Sequence, residues 1–111
     1  ALDVRLTGFG NYDARFFATI KAKWYKLLET RKLRYPGTVA IDFVLHADGR
    51  ITELKVHENT ITNAGARGIQ EYCCRESING SAPFERWPDV MRQKLKTDSI
   101  NCRITFHYII R

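Results

Sequence analysis

The segment spanning residues 35–51 constrains the fold of this chain more than any other part of the sequence. It opens with Pro36-Gly37, a pair that ends a preceding element. It continues as a period-2 pattern whose apolar face is Val39, Ile41, Phe43 and Leu45. Asp48-Gly49 follows and supplies the backbone freedom that a tight turn requires. The segment therefore predicts a β-hairpin with one buried face.

The returning strand of this hairpin is predicted to be irregular. Leu54 and Val56 share one parity, whereas Ile51 has the other. Because side chains alternate strictly along a regular strand, one face cannot hold all three residues. We therefore expect a bulge or an irregular first residue in the returning strand.

Two segments have apolar residues every three or four positions, which predicts two amphipathic helices. The first has Asn11 or Asp13 as its N-cap, and its stripe is Tyr12, Phe16, Ile20, Trp24 and Leu27 or Leu28. The second covers about residues 62–77, with a stripe of Ala66, Ile69, Tyr72 and Cys73. One or two further helical turns are expected within residues 89–96.

The end of the chain has the most regular alternation. One face consists of Ile100, Cys102, Ile104, Phe106, Tyr108 and Ile110, and the other of Asn101, Arg103, Thr105, His107 and Ile109. Near the start, Leu2, Val4 and Leu6 alternate with polar residues, which indicates a minor strand or an extended arm. The last segment is therefore predicted to be a long, half-buried strand.

The order helix, strand, strand, helix, strand predicts an α+β fold. Two helices would pack on one face of a small three-stranded antiparallel sheet, with a possible extra N-terminal strand. The 111 residues are the size of one domain, and 44% of them are hydrophobic. We expect a single domain over residues 1–111, with an arm at 1–10 and a folded core at 11–111.

Composition and spacing disfavour several classes of function. The formal net charge is +6, but no single basic segment is interleaved with aromatic residues, so specific nucleic-acid binding is not favoured. His46, His57 and His107 have no partner at metal-ligand spacing. The sequence implies no oxyanion donor or pocket for a catalytic cysteine or carboxylate pair. We expect no enzyme activity, no metal and no cofactor.

Four motifs, taken in order, point to a family. They are residues 20–25 on the first helix, residues 36–39 entering the hairpin, residues 48–51 at its turn, and Pro83-Phe84 before the last strand. With the order of elements, they give the chain from about Tyr12 to Ile110 a sequence that resembles the C-terminal periplasmic domain of TonB and TolA proteins. The resemblance leaves open which of the two types of role the chain has.

The resemblance implies a periplasmic interaction domain at the end of an energy transducer. In that family a transmembrane helix and a spacer precede the domain and tether it to the inner membrane. The domain itself contacts outer-membrane receptors or other envelope partners. The alternative reading is a basic binding module or self-associating structural module with the same fold and no role in energy coupling.

A three-stranded sheet has two edges at which an extended peptide can add as another strand. We predict that the last strand is the binding edge, since it is long and carries polar side chains. The predicted partner-binding residues are Asn101, Arg103, Thr105, His107 and Ile109. The same edge could pair with a second copy of the chain, giving a homodimer, or it could merely end the sheet.

The three cysteines leave two interpretations open. Cys73 lies in the stripe of the second helix and Cys102 on the apolar face of the last strand, so a disulfide between them is geometrically plausible and would suit an oxidising periplasm. Alternatively, both are small buried hydrophobic residues. Cys74 would remain free or form an intermolecular bond.

Overall fold

The computed structural model describes residues 2–5, for which only the backbone is considered, together with residues 10–32 and 34–109. The helices are α1 (Gly10–Arg31), α2 (Ala64–Asn79) and α3 (Asp89–Leu95). The strands are β1 (Leu2–Arg5), β2 (Gly37–His46), β3 (Ile51–Asn59) and β4 (Ser99–Tyr108). The strands form one antiparallel sheet in the order β1-β4-β2-β3.

The predicted α+β fold is confirmed. Its helix, strand, strand, helix, strand core appears as α1, β2, β3, α2 and β4, and α3 adds two turns before β4. The N-terminal alternation forms β1, which pairs with β4. Leu6 and Ile110, which also belonged to predicted strands, lie outside the described residues.

The core lies between α1 and the inner face of the sheet. All five predicted stripe positions of α1 are buried, namely Tyr12, Phe16, Ile20, Trp24 and Leu28. They pack on the inner face of β2 and β4, where the buried side chains include Val39, Ile41, Phe43, Leu45, Cys102, Ile104 and Phe106. Most of the helix stability therefore comes from this buried face rather than from helix propensity.

Strand β3 is irregular, as predicted. Ala40 pairs with Glu58 and Ile41 with Val56, so His57 is an extra residue on β3. A second register shift lies between the pairs of Asp42 and Val44, where Glu53 has a φ of 55°. The shifts resolve the parity conflict, because Ile51 and Leu54 both pack against the core.

Helix α2 differs from the prediction in the face that it buries. It covers Ala64–Asn79, with the Asn63 side chain accepting a hydrogen bond of 3.0 Å from the backbone nitrogen of Ala66. Ile69 and Tyr72, predicted to be buried, are 40% and 49% exposed. The helix instead buries Ala66, Gln70, Cys73, Cys74, Ser77 and Ile78.

The two polar residues in that buried set explain the difference. The Gln70 side chain accepts a hydrogen bond from the Tyr35 backbone nitrogen over 2.9 Å and donates one to the Tyr35 carbonyl over 3.0 Å. The Ser77 hydroxyl donates to the carbonyl of Cys74 over 2.6 Å. Because their polar groups are paired, Gln70 and Ser77 are buried at little cost, and the helix turns Ile69 and Tyr72 to the surface.

The hairpin turn is attached to the segment before α3. The backbone nitrogen of Phe84 donates to the Gly49 carbonyl over 2.7 Å, and that of Trp87 donates to the Ala47 carbonyl over 2.9 Å. Gly49 has a φ of 90°, and a Cβ atom there would overlap the carbonyl of Phe84. Position 49 therefore requires glycine, because other residues disfavour this positive φ and because no room exists for a Cβ atom.

Candidate partner-binding site

Strand β4 lies between β1 and β2, so it is not the outermost strand that the sequence predicted. The four residues of β1 pair with residues 103–106 in antiparallel register, from Leu2 opposite Phe106 to Arg5 opposite Arg103. The short N-terminal alternation was sufficient to make a strand that covers this part of β4. Within the described chain, residues 99–102 face no strand on that side, and they form the uncovered segment of the β4 edge.

The predicted binding residues of β4 share one face of the sheet. Asn101, Arg103, Thr105 and His107 alternate with buried core residues, so they point away from the helices. Ile109 follows the end of β4 and is 62% exposed. The polar side chains therefore form a row on the open face of the sheet, and the edge itself offers backbone groups.

Arg103 is held by an ion pair across the open face. Its Nε donates to Oδ1 of Asp42 over 2.6 Å, and its second nitrogen, Nη2, donates to Oδ2 over 3.0 Å. This two-point contact lowers the pKa of Asp42 and raises that of Arg103. His57, the extra residue of β3, brings its Nδ1 within 3.8 Å of the same carboxylate.

A shallow hollow of about 490 Å³ lies beside this ion pair. It is lined by Asp42, Phe43, Val44, Glu53, Lys55, Asn101, Cys102 and Arg103. Both charge signs are present, and Asn101 lies in the uncovered segment of the β4 edge. The hollow could therefore take a side chain of a strand added along that segment.

The far end of β4 is anchored to both long helices through Tyr108. Its hydroxyl accepts a hydrogen bond of 3.0 Å from Nε1 of Trp24 and donates one of 3.3 Å to the Gln70 carbonyl. The Cys74 sulfur lies 3.4 Å away. Burial raises the pKa of Tyr108 far above its ordinary value, so the hydroxyl keeps its proton. In the sequence, Trp24 and Tyr108 lie on apolar stripes and indicate only core residues, although aromatic side chains with polar tips usually find such a partner when buried.

The disulfide considered possible between Cys73 and Cys102 is not formed, and all three cysteines are free and buried. Burial raises the pKa of both thiols. The charge of Arg31 acts on the pKa of Cys73 as well, whereas the charge of Asp13 acts on that of Cys102. Asp13 and Arg31 are separated by most of α1, about 27 Å at 1.5 Å per residue. The two thiols thus lie near different ends of α1, which agrees with the absence of a disulfide between them.

Other kinds of site find no support in the described part of the chain. It contains no group of three or more His, Cys, Asp and Glu side chains that could hold a metal ion. The described helices include none with the length and apolar character needed to cross a bilayer.

Comparison with known proteins adds one finding. No family model matches the sequence, and no curated protein matches it. Among solved structures, the NMR solution structure of the Helicobacter pylori TonB C-terminal domain, residues 179–285, matches over 96% of both chains with a TM-score of 0.52 and 19% sequence identity. This chain has the fold of a TonB C-terminal domain. The TonB-like fold thus extends over nearly the whole chain, and the resemblance read from the order of elements is confirmed for the fold.

Proposed function

We propose that this chain is a non-enzymatic interaction domain of a TonB-like energy transducer. It works in the periplasm, tethered to the inner membrane in the full-length protein, and binds an extended segment of an outer-membrane receptor or another envelope protein. The observation that carries the proposal is that part of the β4 edge is not paired with any other described strand. Residues 99–102 face no described strand, and residues 103–106 are covered only by the four residues of β1.

Binding is by strand addition to β4. Main-chain hydrogen bonds supply most of the affinity in this mode, and side-chain hollows beside the strand supply specificity. A partner strand begins at residues 99–102, which face no other strand within the described part of the chain. Further pairing toward residue 106 requires that the partner replace β1, so β1 and the partner compete for one edge.

Electrostatic steering comes from α3 rather than from β4. Arg103 already forms a two-point ion pair with Asp42 and has little charge to offer an incoming acidic segment. Lys94 and Lys96 are exposed at the end of α3, immediately before β4 begins. They therefore attract an acidic partner toward the uncovered end of the edge.

The chemistry of the cysteines also favours binding over catalysis. A nucleophilic cysteine must be accessible and must ionise readily. Burial instead raises the pKa of all three thiols, that of Cys102 to about 12. The surface of the domain thus offers backbone edges and polar side chains rather than a reactive group.

Backbone amide shifts of the labelled domain test the proposal. Peptides from the periplasmic segments of outer-membrane receptors are titrated into the wild-type domain and into Val4→Pro, in which proline disrupts β1 pairing. We expect shifts concentrated at residues 99–106 and tighter binding to Val4→Pro. Shifts confined to residues 51–59, or equal affinity for both proteins, would contradict addition at the β4 edge.

A further inference from the structure

The exposed apolar side chains of this molecule gather at one end. Within the described chain, the large apolar residues that are strongly exposed are Tyr25, Tyr35, Ile69, Tyr72, Val90 and Ile109. Tyr25 lies in the last two turns of α1, Tyr35 just before β2 and Ile109 just after β4, whereas Ile69 and Tyr72 lie on α2. Single exposed apolar residues are ordinary, but a cluster of them indicates an interaction surface.

Several of these residues lie beside basic side chains or beside elements at this end. The Arg31 guanidinium lies over the Tyr72 ring at 5.7 Å. Tyr25 lines one small hollow together with Arg34 and Ile109. Tyr35 is bound through its backbone to Gln70, the neighbour of Ile69 in α2. We call this surface the aromatic-basic end, and it comprises Tyr25, Arg31, Lys32, Arg34, Tyr35, Ile69, Tyr72 and Ile109.

Within the described chain, the cations at this end form no ion pair, unlike Arg15, Arg50 and Arg92 but like Lys55, Lys94 and Lys96. Near the hairpin turn, arginines are paired with acids, as in Arg15 with Glu85, Arg50 with Asp48 and Arg92 with Asp98. Within the described ranges, no ion pair is formed by the cations that follow on α1 and its linker, which are Lys21, Lys23, Lys26, Arg31, Lys32 and Arg34. Two acids, Glu29 and Glu71, lie among them. The six cations outnumber the two acids, so this region keeps a net positive charge.

We propose that the aromatic-basic end docks on a membrane surface rich in anionic phospholipid. The hollow beside Tyr25 has a volume of only about 140 Å³, too small for a small-molecule ligand of ordinary size. Tyrosine rings prefer the headgroup region of a bilayer, and long basic side chains reach phosphates from apolar surroundings. The combination of several basic residues with amphipathic rings thus fits an anionic lipid surface better than a pocketed ligand.

Docking at this end leaves the candidate partner-binding edge free. Strand β4 runs from Ser99, opposite His46 of β2, to Tyr108, opposite Gly37 of β2. Over its ten residues this is a distance of roughly 30 Å, with the uncovered residues 99–102 at the end remote from the lipid. The inference is therefore independent of strand addition, and vesicle binding and peptide binding can fail separately.

Co-sedimentation of the whole chain with vesicles tests the inference. Vesicles of phosphatidylcholine mixed with phosphatidylglycerol are compared with vesicles of pure phosphatidylcholine, at low and at high salt. We expect binding to the mixed vesicles alone, weakened strongly by salt. Equal binding to both, or to neither, would overturn the proposal.

A matched pair of charge reversals locates the contact. Lys32→Glu with Arg34→Glu changes the aromatic-basic end, and Lys94→Glu with Lys96→Glu makes the same charge change near α3. Each pair includes one lysine of left-handed conformation just after a helix, Lys32 with a φ of 55° and Lys96 with a φ of 56°. The first pair should weaken vesicle binding roughly tenfold or more, because each basic group near the surface contributes to attraction. The second pair should leave binding within about a factor of two, and equal loss in both pairs would show unspecific attraction.

The aromatic contribution has its own test. Tyr25→Ser with Tyr72→Ser should weaken vesicle binding severalfold, whereas Val90→Ser, at an exposed site on α3, should leave it unchanged. Thermal unfolding establishes that each variant is folded before its binding is compared. Binding of the tyrosine variant equal to wild type, or tight binding of soluble poly-glutamate to the same end, would overturn the proposal in favour of unspecific or protein recognition.

Discussion

The indole nitrogen of Trp24 donates a hydrogen bond of 3.0 Å to the hydroxyl of Tyr108, across a separation of 84 residues in sequence. The two rings are nearly perpendicular, with centroids 5.3 Å apart. Both side chains are buried, with exposures of 2% and 5%. This contact joins α1 to the end of β4, and it fixes the position of that end of the strand relative to the helix.

Tyr108→Phe tests the strength of this connection. The substitution leaves Nε1 of Trp24 buried without an acceptor, which should lower the free energy of unfolding by about 1–3 kcal/mol. Tyr25→Phe is the matched control, because Tyr25 is 46% exposed and should change stability by less than about 0.5 kcal/mol. Chemical denaturation measures both, and equal effects would mean that the hydroxyl of Tyr108 does not stabilise the core.

Gly49→Ala is expected to be among the most damaging single changes in the chain. A methyl group would overlap the Phe84 carbonyl, and a φ of 90° is unfavourable for alanine. Gly68→Ala is the contrasting case, since Gly68 lies within α2 and its Cβ would meet no atom within 4 Å. We expect Gly68→Ala to stabilise the protein by about 0.5–1 kcal/mol. Thermal melting of both variants checks the prediction, which fails if their shifts have the same sign.

The ion pair of Asp42 and Arg103 should make stability depend on pH. The folded state lowers the pKa of Asp42, chiefly through the hydrogen bonds from Arg103. The resulting stabilisation is fully present above the unfolded-state pKa of about 3.9, and it is lost as the pH falls through the lower folded-state pKa. The difference in unfolding free energy between wild type and Asp42→Asn should therefore shrink on acidification.

Glu29→Gln is the control for the pH experiment. Glu29 is exposed on α1 and forms no ion pair within the part of the chain that the structure describes. Its substitution should change stability little and without a comparable dependence on pH. A constant difference for Asp42→Asn down to the acid transition would show that the ion pair does not couple to folding.

The free thiols should be protected by the fold rather than by a disulfide. Burial raises the pKa of Cys102 to about 12 and that of Cys74 still further. A thiol reagent should therefore react slowly with the native protein, first at Cys73, which lies outside the main core cluster. In denaturant all 3 cysteines should react quickly. A mass that increases after reduction would reveal an intramolecular disulfide and contradict this assignment.

The sequence predicted the fold well in those elements where the spacing of apolar residues coincides with the face that is buried. The α1 stripe from Tyr12 to Leu28 and the hairpin around Asp48-Gly49 follow directly from helical and strand periodicity. The buried face of α2 could not be read in this way. Gln70 and Ser77 become suitable core residues only when Tyr35 and the α2 backbone supply their hydrogen bonds, and those partners are set by tertiary structure.

The candidate site shows a similar limit. The alternation that places Arg103 and His107 on the open face was readable from sequence, and so was the possibility of an N-terminal strand. Which strand pairs with which is a long-range property, so the cover of β1 over residues 103–106 and the bond between Trp24 and Tyr108 required the fold itself. The pairing of Cys73 and Cys102 was left open by the sequence for the same reason, because faces alone do not give positions along a helix.

The two register shifts of β3 have a consequence for how many partners the domain can take. A straight, regular outer strand invites copies of the same chain to add without limit, whereas bulges twist and interrupt such an edge. The extra residues near Glu53 and at His57 lie along the strand at the far side of the sheet from β4. Strand addition at β3 is therefore discouraged, and the proposed addition at β4 would extend the sheet from one side only.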